Sequence, residues 1–148
     1  MTVTWKITPF KDLTIDELYQ VLQLRSEVFV VEQNCVYQDI DGKDTKALHL
    51  IGLFNGEVVA YTRLFDAGIY FDNASLGRVV ISPKLREQKL GHEMIHKAII
   101  GIEENFHTSA ITISAQLYLE RFYQKHGFES VGESYLEDDI PHIEMIKK

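Results

Sequence analysis

Cysteine is nearly absent. The 148 residues contain one, Cys35, so an internal disulfide is impossible, a disulfide-stapled secreted scaffold is excluded and a reducing compartment is favoured. Long apolar runs are missing as well: nothing approaches the roughly 18 consecutive apolar residues of a membrane span. The opening MTVTWKITPF has neither the basic head nor the apolar stretch of a secretory leader. The expectation is a cytoplasmic protein that does not engage a membrane. Positive charge is scarce, with 15 Lys and Arg against 22 Asp and Glu, and the net charge of −7 argues against broad binding to nucleic acid or anionic lipid, both of which need a basic surface. Repeats, low-complexity tracts and Pro/Gly/Ser linkers are also lacking, so residues 1–148 are expected to form one domain. Neither GxxxxGK[ST] nor GxGxxG occurs, which removes the nucleotide P-loop and the dinucleotide-binding fold.

What is there is the composition of a folded protein, 45% hydrophobic and 25% charged. Thr4 to Phe10 alternates like a strand. Thr14-Ile15-Asp16-Glu17 fits a capping box, and Leu18, Val21, Leu22, Val28 and Phe29 repeat at helical spacing with Arg25 interrupting the stripe. Residues 34–46 are polar and aperiodic, hence a loop. His49 to Phe54 and Glu57 to Phe65 flank Asn55-Gly56, a hairpin turn in which both positions need positive φ. Leu76 to Ile81 reads as a central strand stopped at Ser82-Pro83, followed at once by a helix with Leu90, Met94, Ile95, Ala98 and Ile102 on its apolar face. A strand at Ala110 to Ser114, a helix at Leu117 to His126 closed by Gly127, and strands at Phe128 to Leu136 and His142 to Ile146 complete the chain. The order predicts an α/β (α+β) fold with a mixed sheet.

Charge is unevenly spread. Residues 78–97 carry Arg78, Lys84, Arg86, Lys89 and Lys97 against Glu87 and Glu93, an island on which an anionic ligand could dock. Residues 27–44 hold Glu27, Glu32, Asp39, Asp41 and Asp44 against Lys43, and residues 126–146 hold six acids without Lys or Arg. Two readings stand for the acidic stretches: a solvated face, or the half of a site that takes a cationic acceptor. The strand, loop and helix over Gly77 to Gly91 is the most informative unit. A loop that enters a helix presents free N–H groups and the positive end of the dipole, and Arg86, Lys89 and Gly91 sit where phosphate oxygens would meet them.

Here the sequence resembles a family. V-V-I-S-P-K-L-R-E-Q-K-L-G (Val79 to Gly91) is similar to the strand and [QR]-x-x-G-x-[GA] loop of the GNAT acyl-CoA N-acyltransferases, and F-Y-Q-K-H-G-F (Phe122 to Phe128) to their F/L-Y-x-K-x-G-F segment. L-R-S-E-V-F-V-V-E-Q-N-C-V-Y-Q-D-I-D-G (Leu24 to Gly42) and D-D-I-P-H-I-E-M (Asp138 to Met145) resemble the ElaA-type members. One departure is that Lys89 stands at the first loop glycine, where a Cβ disfavours unusual φ/ψ. The resemblance implies a GNAT-like central sheet of about six to seven strands flanked by helices. It implies that the backbone of Val79, Val80 and Ile81 pairs with pantetheine, that the loop of Glu87, Gln88, Lys89, Leu90, Gly91 and His92 meets the pyrophosphate with Arg86 adding charge, and that Gln116 contacts the co-substrate. By helical spacing alone Tyr123 reads as a half-buried core aromatic; the resemblance implies instead the acid for the departing thiolate, since Tyr123 stands where many members place it.

His92-Glu93-Met94-Ile95-His96 spells HExxH, the zinc-hydrolase pattern, but on the polar helix face, so no metal is expected. The resulting expectation is an acetyl-CoA-dependent N-acetyltransferase in which a primary amine, small or peptidic, attacks the thioester directly, the acidic segments pointing to a cationic one. Backbone near Val80 and Ile81 would stabilise the oxyanion, and Tyr123 would act as acid. The general base is open between Glu32, His142 and a water chain, since Ile111 occupies the position of the strand Glu found in some relatives. The alternative is a non-catalytic acyl-CoA sensor or interaction module of the same fold, since fold does not fix function. A homodimer is among the open oligomeric states.

Overall fold

A computed structural model describes residues 2–148, apart from the side chain of Glu87. Seven strands form two antiparallel sheets. The first, in order β1-β2-β3-β4, comprises Thr4–Pro9, Leu48–Phe54, Glu57–Phe65 and Ser75–Ile81; the second, in order β5-β7-β6, comprises Ile111–Gln116, Ile140–Lys147 and Glu129–Glu137. They meet where Ala74 and Ile111 bridge in parallel and the Thr112 N–H donates to the Ala74 carbonyl at 2.9 Å. Beyond that bridge β4 and β5 run alongside without a ladder, and the mixed sheet opens into a V.

Alternation along the strands builds a core on each side. Leu50, Ala60 and Leu64 face α2 (Leu90–Phe106), which covers them with Met94, Ile95, Ala98 and Ile102; Ile51, Tyr61 and Val80 face α1 (Ile15–Arg25) and its extension through Val21, Leu24, Val28 and Phe29. Gly101 lets Ile7 pack close against α2: a β-carbon there would lie 2.4 Å from Ile7 Cδ1 and would push that side chain aside. The capping box forms: Thr14 Oγ1 accepts from the Glu17 N–H at 3.1 Å and the Glu17 carboxylate accepts from the Thr14 N–H at 2.9 Å.

The expected first helix ends earlier than its apolar stripe. After Arg25 the chain widens into a π-helix over Ser26–Glu32, with the Gln33 N–H bonded five residues back to the Val28 carbonyl at 3.0 Å. A 3-10 segment, Pro83–Gln88, separates β4 from α2, and the helix read as Leu117 to His126 is a 3-10 turn, Leu117–Leu119, followed by the short α3, Glu120–Gln124. The last strand starts at Ile140, not His142: Asp138 and Asp139 both take positive φ, 51° and 61°, so the hairpin turn shrinks to two residues and draws His142 into the ladder between Gln116 and Tyr135.

Arg25, the polar break in the α1 stripe, is wholly buried. Its Nε and Nη1 donate to Asp39 Oδ2 and Asp44 Oδ1, each at 2.9 Å; Arg63 bonds Asp44 at 2.9 Å and Asp41 at 2.6 Å; Arg78 Nε reaches Asp39 Oδ1 at 2.8 Å. Three arginines and three aspartates thus cancel one another and pin the 34–46 loop to the sheet. Asp39, Asp41 and Asp44 are therefore neither a solvated face nor an acceptor subsite, and Arg78 leaves the positive island. Burial alone would raise the Asp41 carboxyl, but hydrogen bonds from Arg63 and the Lys43 N–H, with the charges of Arg63 and Arg78, hold it well below the usual carboxylate range.

Candidate active site

The V between β4 and β5 is an open cleft whose enclosed part is about 110 Å³, a slot rather than a deep cavity. It is lined by Tyr123 and Leu119, by Glu137, Asp138 and His142 from the β6–β7 turn and the start of β7, and by Val79, Ser114 and Gln116. A bulge aims the β4 wall. Arg78 has φ 51°, the β3–β4 register shifts between Tyr61 and Arg63, and Thr62 Oγ1 donates to the Gly77 carbonyl at 2.8 Å. Past the bulge the Ser82 N–H donates to Val59 O at 2.7 Å and Val80 stands opposite Tyr61, so even-numbered residues are tied to β3. By strand alternation Val79 and Ile81 turn their N–H and C=O to the open edge. Of the three expected backbone contacts, Val80 is thus engaged in the ladder and also packed in the core on the α1 side.

The phosphate-type loop lies at the start of α2. Lys89 takes the left-handed conformation, φ 58° and ψ 28°, that a glycine would adopt without strain, and no side chain caps the N–H groups of Leu90, Gly91 and His92. A β-carbon at Gly91 would sit 3.3 Å from the Phe122 ring, so this glycine lets Phe122 pack against the first turn of α2. Gln88 is exposed at the turn before Lys89, and the side chain of Glu87 lies outside the described residues. An uncapped helix start beside Arg86 fits the diphosphate of a coenzyme A thioester. Arg86 itself is engaged: its Nη1 donates to Glu32 Oε2 at 2.6 Å and its Nη2 to Oε1. That hydrogen bonding lowers the Glu32 carboxyl and raises the guanidinium. Glu32 is not among the cleft-lining residues, and a carboxylate so held is a weak base.

Tyr123 is 4% exposed, with Phe122 and Phe128 set edge-on at 5.1 and 5.8 Å. It is both core aromatic and cleft wall. Burial pushes its phenol well above the usual value, so it stays protonated. His142 is 7% exposed, and its Nδ1 lies 2.7 Å from the Ile140 carbonyl. A carbonyl only accepts, so Nδ1 carries the proton and a neutral ring offers the Nε2 lone pair to the cleft. Gln116 lies across the ladder from His142 and accepts from Gln33 at 3.4 Å. Two of the HExxH residues are otherwise engaged: Glu93 accepts from Trp5 Nε1 at 2.7 Å, and His92 lies 2.9 Å from His126 with its ring tilted against Phe122. Among the described residues no group of three or more His, Cys, Asp or Glu is arranged to hold a metal.

Residues 12–148 match the family model for the acetyltransferase (GNAT) domain. The chain belongs to the GNAT acetyltransferase family. It is 39% identical to Protein ElaA of Escherichia coli over 148 residues, 99% of this chain and 97% of that protein. Its GNAT fold superposes on an acyl-CoA N-acyltransferase from Pseudomonas aeruginosa with a TM-score of 0.94 at 42% identity, covering 99% of this chain and all of the other. For the crystal structure of E. coli ElaA the TM-score is 0.92 at 38% identity, with the same coverage. The synthase LasI shares the fold at 14% identity and a TM-score of 0.80. No helix among the described residues is long and apolar enough to cross a membrane.

The sequence reading passed over several cleft residues of this GNAT domain. Ser114 and Glu137 sat within a strand and an acidic run, and only the two-residue turn at Asp138-Asp139 brings Glu137 beside His142. Cys35 Sγ, 3.2 Å from the Asp138 carbonyl, also lines the cleft.

Proposed function

We propose that residues 1–148 form one N-acetyltransferase domain that moves an acetyl group from acetyl-CoA to a primary amine by direct attack in a ternary complex. The observation that carries this reading is the V-shaped cleft, with a free β4 edge along one wall, an uncapped helix N-terminus and Arg86 near by, and His142 and Tyr123 as cleft-lining proton-transfer groups. Acetyl-CoA, when bound, supplies the thioester. Val79 and Ile81 offer backbone groups to the pantetheine arm and an N–H to the carbonyl oxygen as charge builds on it. Arg86, Lys89 and the N–H groups of Leu90, Gly91 and His92 take the diphosphate, with Gln88 beside them and Gln116 on the opposite wall. His142 Nε2 accepts the proton of the incoming amine, and the Tyr123 hydroxyl, protonated by virtue of its burial, donates to the sulfur as the C–S bond breaks. The lone thiol and the co-substrate both suit a cytoplasmic setting.

The test is ligand-linked stability, because a ligand that binds only the folded state raises Tm as RT ln(1 + [L]/Kd). Saturating acetyl-CoA should raise Tm, and the double variant Arg86→Ala, Lys89→Ala should shrink that rise. A rise unchanged in the double variant places the co-substrate elsewhere.

A further inference from the structure

Charge in the cleft is lopsided once internal pairs are removed. Arg63 and Arg78, its two arginines, are neutralised by Asp39, Asp41 and Asp44. The β6–β7 turn brings Glu137 and Asp138 to the cleft without a Lys or Arg partner among the described residues. Glu137 is also held in place. A carboxylate only accepts, so Ser114 Oγ donates to Glu137 Oε1 at 3.2 Å; this uses the single serine proton, and the Tyr135 hydroxyl must donate to Ser114 Oγ at 2.5 Å. That chain orients Glu137 and leaves Oε2 3.5 Å from His142 Nε2, the polar atom that the Ile140 carbonyl leaves free on a side chain more than nine-tenths buried. Tyr135 stacks on the same imidazole, 6.2 Å between centroids.

We propose that Glu137 is the acceptor-binding carboxylate of this cleft, that it docks the substrate's ammonium against His142 Nε2, and that it selects amines carrying a second positive charge over amines carrying a carboxylate. The inference rests on the acetyltransferase reading and names its substrate class. Amines arrive in water as ammonium ions. Glu137 Oε2 holds that ion, and the N–H proton passes to His142 Nε2. The freed nitrogen lone pair forms the new C–N bond as the C–S bond breaks, and Tyr123 gives its proton to the thiolate; the acylated nitrogen sheds its second proton to water, from which Tyr123 is reprotonated, and the imidazolium returns its proton to solvent. Glu137 is the main source of the negative field that favours a distal cation and disfavours a distal carboxylate, and Asp138 and its neighbour Asp139, on the same turn, add to it.

Three five-carbon amines separate these effects: cadaverine, n-pentylamine and δ-aminovalerate, which end in an ammonium, a methyl and a carboxylate. With acetyl-CoA saturating, kcat/KM for thiol release should fall in that order by about threefold or more per step, as expected for partly exposed charges. The order should collapse at high salt. Glu137→Gln should raise KM for cadaverine about fivefold while kcat changes less, and Glu137→Asp should recover part of the preference. An order that is absent in the wild type, or that survives both high salt and Glu137→Gln, overturns the assignment even though the enzyme turns over. Thiol release with a lysine peptide but with none of the three overturns the assignment, and no thiol release with any of these, from protein whose Tm acetyl-CoA raises, overturns the transferase reading beneath it.

Discussion

Replacing Tyr123 by Phe removes one oxygen from a ring that packs edge-on against Phe122 and Phe128. Those aromatic contacts belong to the ring and survive. The hydroxyl is the only group lost, and a buried polar group with no strong partner stabilises little, so stability should change by less than about 1 kcal/mol and Tm by less than about 4 °C. The effect on rate should be far larger. A lost general acid costs about 10² to 10⁴ in rate, which at 1.36 kcal/mol per decade is roughly 2.7 to 5.4 kcal/mol of barrier. The loss should fall on kcat with the acetyl-CoA Kd unchanged, because the proton is needed as the thiolate leaves and not when the thioester binds. Burial holds the phenol above its ordinary range, so wild-type kcat should show no basic limb from this residue below about pH 10. The assay is thiol release on a turned-over amine, with single-turnover kinetics to isolate chemistry and a melting curve beside it. If Tyr123→Phe keeps its Tm and its single-turnover rate, the residue is a core aromatic and protonation of the thiolate comes from elsewhere.

Glu32→Gln should leave kcat within about threefold, since its partner is Arg86 and not the acceptor, and should tighten acetyl-CoA binding by freeing that guanidinium; a fall in kcat of about 10² or more would make Glu32 the base after all. Lys89→Gly should relieve a left-handed Cβ strain of about 1 kcal/mol, raising the Tm of the free protein by about 2–4 °C while weakening the acetyl-CoA-induced shift through loss of the ammonium. Arg25→Met should cost about 3–5 kcal/mol, or roughly 6–20 °C in Tm, because it strips a partner from Asp39 and Asp44 where both are buried. Asp41 gives the pH counterpart: its folded carboxyl titrates below the unfolded value of about 3.9, so its contribution is present above that value and is lost as pH falls through and beneath it, visible as a steepening decline of Tm in acid.

Local signals carried most of the fold. The capping box at Thr14, the Asn55-Gly56 turn and the apolar face of α2 all sit where the residues indicated, because each depends on neighbours within four positions. What escaped depends on distant partners. Arg25 reads as a flaw in a helical stripe until Asp39 and Asp44, 14 and 19 residues on, fold over it. The same network removes three aspartates from what looked like an acidic surface, and the Glu32–Arg86 pair joins residues 54 apart. The bulge at Arg78 is invisible in composition, since nothing in a run of apolar residues announces which one takes positive φ. The loop at the start of α2 and Tyr123 were legible only as motif positions; the setting of Glu137 beside His142 comes from a two-residue turn that the acidic run concealed.

The most direct measurement of the central claim is acceptor-dependent release of free thiol from acetyl-CoA by the purified protein, with the product amine identified by mass spectrometry. The account predicts thiol release that requires both acetyl-CoA and an amine, matched by an equal yield of N-acetylated product and abolished by heat-unfolding the protein. Tight binding of acetyl-CoA with no thiol release across an amine panel that includes diamines and lysine peptides would contradict it and leave a module that binds the thioester without turning it over.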